Sequence, residues 1–327
     1  MLARLKRYGI DPYLVLLFAT VAAAALLPAG GDIATVLKGV SYWAVALLFF
    51  LYGAKLSTAS ILAGLTNWRL QLGILATTFV VFPVLGLGLA AVAAPLLGAA
   101  FAAGLIYVGC LPSTIQSAVA FTALARGNVA GAVCAASISN LIGVVLSPLL
   151  VSLLLTTEGP VSINPDAVWK IAQQILLPFF LGQLARPLLI RFLDRYKSTV
   201  TLYDRGVILL IVYVAFSAGI TGGTFATAGA AHLAALGAVV AVMLALAFAA
   251  TILIGRVSGM DRADRATMLF CGSTKSLATG LPMAGILFLG QDVAAILLPL
   301  MLYHLLQLVV CALIAQRMAA VPEAVAA

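Results

Sequence analysis

The sequence predicts an all-α integral membrane protein of about ten transmembrane helices. Of its 327 residues, 64% are hydrophobic and only 9% are charged, against roughly 25% charged residues in an ordinary soluble domain. A soluble chain could not bury that much apolar surface, whereas a chain that faces lipid does not have to. The net charge of +8 would suggest nucleic acid for a soluble protein, but the basic residues lie in short segments between apolar runs. We therefore expect the lipid bilayer, and no nucleic acid, as a partner.

Apolar runs of sufficient length define the predicted spans. A transmembrane helix needs about 20 apolar residues. Runs of that kind place spans at 11–29, 38–56, 69–93, 101–123, 129–155, 169–190, 203–221, 232–254, 267–289 and 293–316. The longest predicted loops, near 156–168 and 191–202, hold about a dozen residues each, which is too short for a separate soluble domain.

The distribution of basic residues predicts the orientation. With the N-terminus inside, Lys38 and Lys170 face outward and Lys275 lies within a span, which leaves 15 of the 18 Lys and Arg residues in inner segments. Cytoplasmic segments of membrane proteins carry such an excess. We therefore expect a multi-pass protein of the cell's inner membrane with both termini in the cytoplasm.

The two halves of the chain are predicted to be inverted repeats. Spans one and six begin about 158 residues apart, and spans three and eight about 163, an arrangement typical of inverted-repeat transporters because five crossings reverse the orientation. This offset predicts a first five-helix repeat at 10–160 and a second at 168–318, within one transmembrane domain.

Polar residues interrupt spans four and nine near their middles. Pro112 in span four removes a backbone donor, and the hydroxyl residues that follow it are placed to bond the carbonyls it leaves free. Span nine carries Ser273 to Ser276 between Gly272 and Pro282, and we expect an interruption at both ends of that stretch. Paired interruptions at equivalent positions indicate a transport site, and small residues that only allow close helix packing are the alternative.

Spans five and ten contribute further candidates. Asn140 and His304 lie about 164 residues apart, near the repeat offset. His304 and Gln307 share one helical face, and His304 is either a proton carrier or a hydrogen-bonded structural residue. The candidate substrate- and ion-binding residues are Ser113, Thr114, Gln116, Ser117, Ser137, Asn140, Ser273, Thr274, Lys275, Ser276, His304 and Gln307.

Lys275 lies deep in a predicted span, where a lysine costs several kcal/mol unless it is paired or hydrated. No Asp or Glu lies in a span interior, so the sequence offers it no carboxylate. Three interpretations stay open: it is neutral because burial disfavours charge, carbonyls at a broken helix end hold it, or its partner is an anionic substrate. Its depth argues against a side chain that reaches the membrane surface.

Parts of the sequence resemble a known family. The segments 109–112 and 124–130 resemble the fourth helix of the bile acid:sodium symporter family, and 271–278 resembles the ninth helix of its divergent SBF-like branch. The resemblance implies a panel of four helices and a core of six, in which helices four and nine unwind and cross. It also implies an organic anion as substrate, such as a bile acid, a steroid conjugate or a small carboxylate, often moved with sodium.

The family's sodium ligands are largely missing from this sequence. Their positions fall on Ser117, Ala118, Ala132, Ala136, Phe270 and Thr274. Four of these six residues have no side-chain oxygen, and Lys275 lies in the same crossing. We therefore expect no cofactor and no metal, with the Lys275 ammonium in place of sodium and the proton as an alternative coupling ion. Sodium coupling is retained as the second interpretation.

Other function classes fit the sequence less well. The four cysteines lie in apolar runs without metal-type spacing. A membrane enzyme built on Ser113 and His304 has no intramembrane carboxylate and no Gly-x-Ser-x-Gly motif. A non-transporting regulator of ion homeostasis stays open, and paired interruptions favour alternating access over a channel. The sequence thus predicts secondary transport of a small organic anion.

Overall fold

The structure, a computed structural model, describes residues 12–55, 67–155, 172–223, 229–288 and 291–320. These ranges are helical apart from short connections, and no strand occurs in them. In chain order the helices are α1 (Pro12–Leu26), α2 (Gly31–Lys55), α3 (Trp68–Leu97), α4 (Ala99–Cys110), α5 (Gln116–Leu124), α6 (Val129–Leu154), α7 (Leu177–Arg195), α8 (Lys197–Thr221), α9 (Ala230–Val257), α10 (Arg262–Ser273), α11 (Leu277–Leu287) and α12 (Val293–Ala320). The prediction of an all-α chain is confirmed for this part.

Seven helices within the described ranges are long and apolar enough to cross a membrane. They are α2, α3, α6, α7, α8, α9 and α12. For α7 the apolar helix includes part of the π-helical turn Ala172–Leu176 that precedes it. Large apolar side chains stay exposed on their outer faces: Leu188 is 85% exposed and Val257 is 79% exposed. Such faces suit lipid rather than water, so the assignment to a multi-pass membrane protein is confirmed.

Three predicted spans are not single long helices. The first, 11–29, contains α1, which is only 15 residues long and ends shortly before Pro28. The fourth and ninth, 101–123 and 267–289, are each divided into two shorter helices. The backbone leaves the helical conformation at Leu111, with ψ 152°, and at Thr274, with ψ 148°. Both divisions lie at the polar stretches that the sequence singled out.

Two expectations about connections are wrong. The segment 191–202 is not a loop, because α7 continues to Arg195 and α8 begins at Lys197. Span nine has one interruption rather than two, since α11 runs through Gly280 and Pro282. Pro282 is the sixth residue of α11 and removes one internal hydrogen bond without ending the helix. The predicted loop 156–168 and the basic residues Arg4, Lys6, Arg7 and Lys170 lie outside the described residues.

A π-helical turn, Thr77–Val81, interrupts the α-helical pattern of α3. The N–H of Phe82 donates to the carbonyl of Thr77, five residues back. The next bond of this register would run from residue 83 to Thr78, but Pro83 has no N–H. The carbonyl of Thr78, a fully buried residue, therefore needs a partner from outside its own helix.

Helices α2 and α7 approach each other at two glycines. A Cβ at Gly53 would overlap the carbonyl oxygen of Phe179, and a Cβ at Gly182 would overlap that of Phe50. Small residues of this kind let transmembrane helices pack closely where no hydrophobic effect drives them together.

One end of the bundle is joined by the carboxylate of Asp264 in the first turn of α10. It accepts hydrogen bonds from the amide nitrogens of Asn67 at 2.6 Å and Asn128 at 2.8 Å. Each asparagine also caps a helix, because Asn67 accepts from the N–H of Leu70 and Asn128 from that of Gly131. The partly buried carboxylate of Asp264 thus connects the starts of α3, α6 and α10.

Candidate functional site

The interruptions of spans four and nine lie against each other. The backbone N–H of Ser276 donates to the carbonyl of Pro112 at 2.9 Å. The hydroxyl of Ser113 donates to the carbonyl of Cys271 at 2.6 Å and lies 3.2 Å from the hydroxyl oxygen of Thr274. We call the residues 111–115 and 274–276 the crossing. Ser113 and Thr274, which are candidates from the polar stretches of spans four and nine, are in direct contact there.

Helix α6 completes the hydrogen bonds of the first interruption. The N–H of Ser113 donates to the hydroxyl of Ser139 at 3.0 Å, and the side-chain amide of Asn140 donates to the carbonyl of Ser113 at 2.7 Å. Asn140 in turn accepts from the hydroxyl of Thr279 in α11 at 3.0 Å. Both backbone groups of Ser113 are therefore satisfied by side chains of α6, as a membrane interior requires.

Helix α12 supports the second interruption. The side-chain amide of Gln307 accepts from the N–H of Lys275 at 2.7 Å and donates to its carbonyl at 3.0 Å. The hydroxyl of Tyr303 donates to the carbonyl of Ser273 at 2.6 Å. Ser276 caps α11 by accepting from the N–H of Thr279 at 3.2 Å. Every backbone group of the unwound Lys275 is thus paired with one side chain.

The Lys275 side chain is fully buried, with 0% exposure, and ends among backbone carbonyls. Its Nζ lies 2.6 Å from the carbonyl oxygen of Leu111, 3.1 Å from that of Gly109 and 3.0 Å from that of Thr78. It also lies 3.9 Å from the centre of the Phe82 ring, within cation–π range. An ammonium has three N–H donors, and three acceptors surround it here.

This arrangement agrees with one of the three interpretations of Lys275. The second interpretation, carbonyls at a broken helix end, describes its surroundings. All three donors are engaged, so none points to an anion in this conformation. It also corrects an expectation about span four, because the carbonyls of Gly109 and Leu111 accept from Lys275 and not from the hydroxyls that follow Pro112.

His304 lies beside Gln307 on α12. The side-chain nitrogen of Gln307 is 2.9 Å from Nδ1 of His304, and Nδ1 is 3.4 Å from the carbonyl of Lys275. If Gln307 donates the shorter contact, the ring proton is on Nε2. This geometry fits the structural alternative for His304 better than a proton carrier.

Four of the candidate residues do not join this network. Thr114, Gln116, Ser117 and Ser137 form no hydrogen bond with the other candidates in the described part of the chain. Gln116 is exposed, and the Ser117 hydroxyl is buried without a partner among the described residues. The unwound segment ends at Ile115, so Gln116 and Ser117 already belong to α5. Successive side chains of a helix point in different directions.

Several residues of the site were not among the candidates. Thr78 and Phe82 of α3 surround Lys275, Ser139 bonds the first interruption, and Tyr107 and Tyr303 donate to carbonyls of span nine at 2.5 and 2.6 Å. The sequence could have indicated Thr78, because Pro83 has no N–H to donate to the Thr78 carbonyl. Tyrosines inside apolar runs also need a partner for the hydroxyl.

Four of the six positions that match the family's sodium ligands are apolar in the structure. Ala118, Ala132, Ala136 and Phe270 are all fully buried. Ala118 and Ala132 belong to one apolar cluster with Met268, and Phe270 packs in another. None of these four side chains offers an oxygen to a cation, and packed apolar groups occupy their surroundings.

Comparisons with known proteins agree with the geometry. An uncharacterized protein of Pseudomonas aeruginosa, PA2026, is 47% identical over 315 residues, which cover 96% of this chain and 94% of the relative. The putative symporter YfeH of Escherichia coli is 42% identical over 308 residues, covering 94% and 92%. The rat sodium/bile acid cotransporter 7 is 29% identical over 306 residues, covering 92% and 90%.

The sequence profile of one family spans nearly the whole chain. It is the SBF-like CPA transporter family, and it matches residues 11–320. That range contains all the described helices from α1 to α12 and both halves of the crossing. The chain therefore belongs to the SBF-like CPA transporter family, related to the bile acid:sodium symporters, and is a membrane transporter rather than an enzyme.

Proposed function

We propose that this protein is a secondary transporter of a small organic anion that works by alternating access, with the Lys275 ammonium in place of a bound sodium ion. Sodium would then not be required, and a proton on Lys275 would be the coupling ion. The main support for the proposal is that three backbone carbonyls, those of Thr78, Gly109 and Leu111, accept hydrogen bonds from Nζ of Lys275. Carbonyl oxygens of broken helices bind the coupling cation in related transporter architectures.

The role of Lys275 in this proposal is indirect. Its charge lies between the two halves of the crossing, where it joins span nine to span four and to α3. A tethered cation of this kind makes the crossing positive without an external ion whenever Lys275 is protonated. The substrate anion is attracted by the local positive potential and by the helix N-termini near the crossing, not by a direct ion pair with Nζ.

We infer a ten-helix architecture in two inverted repeats, 10–160 and 168–318. In support, Ser113 of the first half contacts Thr274 of the second. The panel would comprise α1, α2, α7 and α8, since α2 packs on α7 and α8 packs on both α1 and α2. The remaining helices would form the core. Each predicted break lies in the core, as the family resemblance implies.

Hydrogen bonds support the proposed sidedness. The starts of α3, α6 and α10 meet at Asp264, and Arg262 donates to the carbonyl of Met318 near the end of α12. The distribution of basic residues assigns all four of these helix ends to the cytoplasmic side. The membrane would be the inner membrane of the cell. The twelve candidate residues, with Lys275 and Gln307 at their centre, would form the transport site.

The second candidate is sodium-coupled transport of an organic anion. The name of the rat relative, a sodium/bile acid cotransporter, favours it. Against it stand Ala118, Ala132, Ala136 and Phe270 at the expected ligand positions.

Purified protein in sealed liposomes tests the two candidates. Uptake of labelled taurocholate, oestrone 3-sulfate and succinate is followed with sodium or choline outside, at fixed pH and fixed membrane potential. We expect uptake of at least one anion at the same rate in both salts, and a rate that depends on an imposed pH gradient. Uptake that rises steeply with external sodium would support the second candidate, and no flux of any of the three would contradict organic anion transport.

A further inference from the structure

Three exposed arginines meet at one corner of the bundle, where α9 turns into α10 beside the start of α3. Arg69 is in the first turn of α3, Arg256 in the last turn of α9 and Arg265 in the first turn of α10, and all three are exposed. The side chain of Arg265 packs against α9, because a Cβ at Gly255 would lie 3.2 Å from its Cγ. We call these three residues the arginine corner.

Helix α3 contacts both α9 and the turn that leads to α10 one helical turn beyond Arg69. A Cβ at Gly73 would lie 3.3 Å from Cγ2 of Ile254 and 3.4 Å from Cε of Met260. Residues four apart lie on the same face of a helix, so Arg69 extends from the face of α3 that packs on this turn. The N–H of Met260 donates to the carbonyl of Gly255 at 3.2 Å, so a hydrogen-bonded turn holds the three arginines at one place.

The positive charges of the arginine corner are not balanced by ion pairs. Asp261 is close, but its carboxylate accepts from the N–H of Asp264 at 2.7 Å, and that of Asp264 accepts from two asparagine amides. Nε of Arg265 donates to the backbone carbonyl of Asp261 at 3.4 Å. Within the described ranges no salt bridge involves any of the three arginines. Each guanidinium has five N–H donors, so donors are left for an anion.

Exposed apolar side chains continue from the arginine corner along two of the same helices. Trp68 is 60% exposed, and the guanidinium carbon of Arg69 lies 5.5 Å from the centre of its ring. Leu72 follows one turn later in α3, and Leu253 precedes Val257 by one turn in α9; all three are exposed. Tryptophan is enriched at the boundary between membrane and water. The corner therefore joins a positively charged surface to an apolar one, the complement of an anionic headgroup with its acyl chains.

The alternative is that these arginines only set the orientation of the chain in the membrane. A topology signal of that kind works from any position in a cytoplasmic segment. It does not require arginines from three helices to converge beside an exposed tryptophan, so the arrangement favours a binding surface.

We propose that the arginine corner binds the phosphate group of an anionic phospholipid, whose acyl chains lie on the exposed faces of α3 and α9. The inference goes beyond the proposed transport function and does not depend on it. Guanidinium groups match phosphate oxygens with paired N–H donors, and basic pockets between transmembrane helices recognise anionic headgroups. A zwitterionic phospholipid also carries a cationic group, which the three arginines repel, so the site selects a headgroup of net negative charge.

Quenching of Trp68 fluorescence by brominated lipid measures which lipid occupies the site. Trp43→Phe and Trp169→Phe leave Trp68 as the single tryptophan of the sequence. This full-length chain is reconstituted in vesicles of phosphatidylglycerol and phosphatidylcholine, with bromine on the acyl chains of one lipid or the other. Both lipids are present in both leaflets, so the orientation of the protein does not affect the result. We expect brominated phosphatidylglycerol to occupy the site severalfold more than its share of the mixture predicts.

Charge variants test the location. Arg256→Gln combined with Arg265→Gln should reduce the quenching to the share of phosphatidylglycerol in the mixture. Arg69 is left in place because its guanidinium lies beside the reporting ring. Arg191→Gln combined with Arg195→Gln is the matched control, since it removes the same charge from two exposed arginines at the end of α7. We expect the control to keep the full selectivity of the parent.

A variant of Asp261 tests the same charge in the opposite direction. Asp261→Asn keeps a side chain that caps helices well but removes a negative charge next to Arg265. We expect the selectivity for phosphatidylglycerol to rise. This test remains decisive if the double arginine variant does not fold, because an unchanged or lower selectivity would contradict the proposal.

Three other outcomes would overturn the inference. Quenching of the parent in proportion to the lipid mixture would mean that the corner does not select a headgroup. An equal loss of selectivity in the α7 control would mean that the net charge of the chain attracts the lipid. Inorganic phosphate that abolishes the selectivity would assign the corner to a free anion. None of these results affects the liposome test of organic anion transport.

Discussion

The Nζ of Lys275 lies 3.0 Å from the carbonyl oxygen of Thr78, two residues that are 197 positions apart in the chain. The contact exists because the π-helical turn of α3 ends at a proline. Residue 83 would otherwise supply the N–H that closes the turn onto Thr78. Because Pro83 lacks an N–H, the carbonyl of Thr78 in α3 is free to accept a hydrogen bond from the Lys275 ammonium of span nine.

The first prediction concerns this proline. Pro83→Ala restores an N–H that competes with Lys275 for the Thr78 carbonyl, so the ammonium should be held less firmly. We expect anion uptake by liposomes to fall severalfold with little change in the yield of folded protein. Pro95→Ala is the control, because Pro95 lies in the same helix but is exposed. Similar effects of the two substitutions would show that only helix geometry matters.

The second prediction concerns the cation itself. Lys275→Ala leaves three buried carbonyls without their donor, and each unpaired buried group costs about 1–3 kcal/mol. We expect a lower unfolding temperature in choline chloride, with partial recovery in sodium or methylammonium chloride as a small cation enters the vacated space. The parent protein should show no such dependence on the salt.

Lys275→Arg provides the complementary test of the same site. The guanidinium is planar and larger than an ammonium, so it cannot match three carbonyls arranged around one nitrogen. We expect poor recovery of uptake. If arginine restores full activity, charge alone is sufficient and the carbonyl geometry is unimportant.

The third prediction concerns Gln307, which bonds both backbone groups of Lys275. Gln307→Leu is close in volume but leaves two buried backbone groups unpaired, at about 1–3 kcal/mol each. We expect a clear drop in the unfolding temperature measured in detergent. Gln307→Glu keeps the acceptor and loses the donor, so its unfolding temperature should differ from that of Gln307→Leu. An unchanged unfolding temperature in Gln307→Leu would mean that water replaces the amide.

The fourth prediction concerns helix packing. Gly53→Ala or Gly182→Ala places a methyl group on a neighbouring carbonyl oxygen, so α2 and α7 must separate. We expect a strong loss of monodisperse protein in size-exclusion chromatography. Gly88→Ala, which adds the same group on an open face, should leave the yield unchanged.

The sequence predicted the parts of this protein that depend on local pattern. Hydropathy located most of the spans, and the polar stretches around Ser113 and Thr274 located the divisions of spans four and nine. Lys275, singled out as a residue inside an apolar span, is fully buried in the structure. These features are encoded in residue types at regular spacings, which a single sequence displays directly.

The partners of Lys275 were not predicted because backbone carbonyls have no residue-type signature. Any residue can supply one, and only the three-dimensional path of the chain decides which carbonyls are unpaired. The second expected interruption, at Pro282, was wrong because α11 continues through this proline, which removes one hydrogen bond from the helix but does not end it. The helical segment that replaced the predicted loop 191–202 carries many charges, so hydropathy alone could not identify it.

The Asp264 carboxylate has a mechanical consequence. Because it holds the caps of α3 and α6 together with the first turn of α10, these three helices cannot tilt independently at that end. A rotation of α10 at this end would therefore have to carry the starts of α3 and α6 with it, or break a hydrogen bond to Asp264.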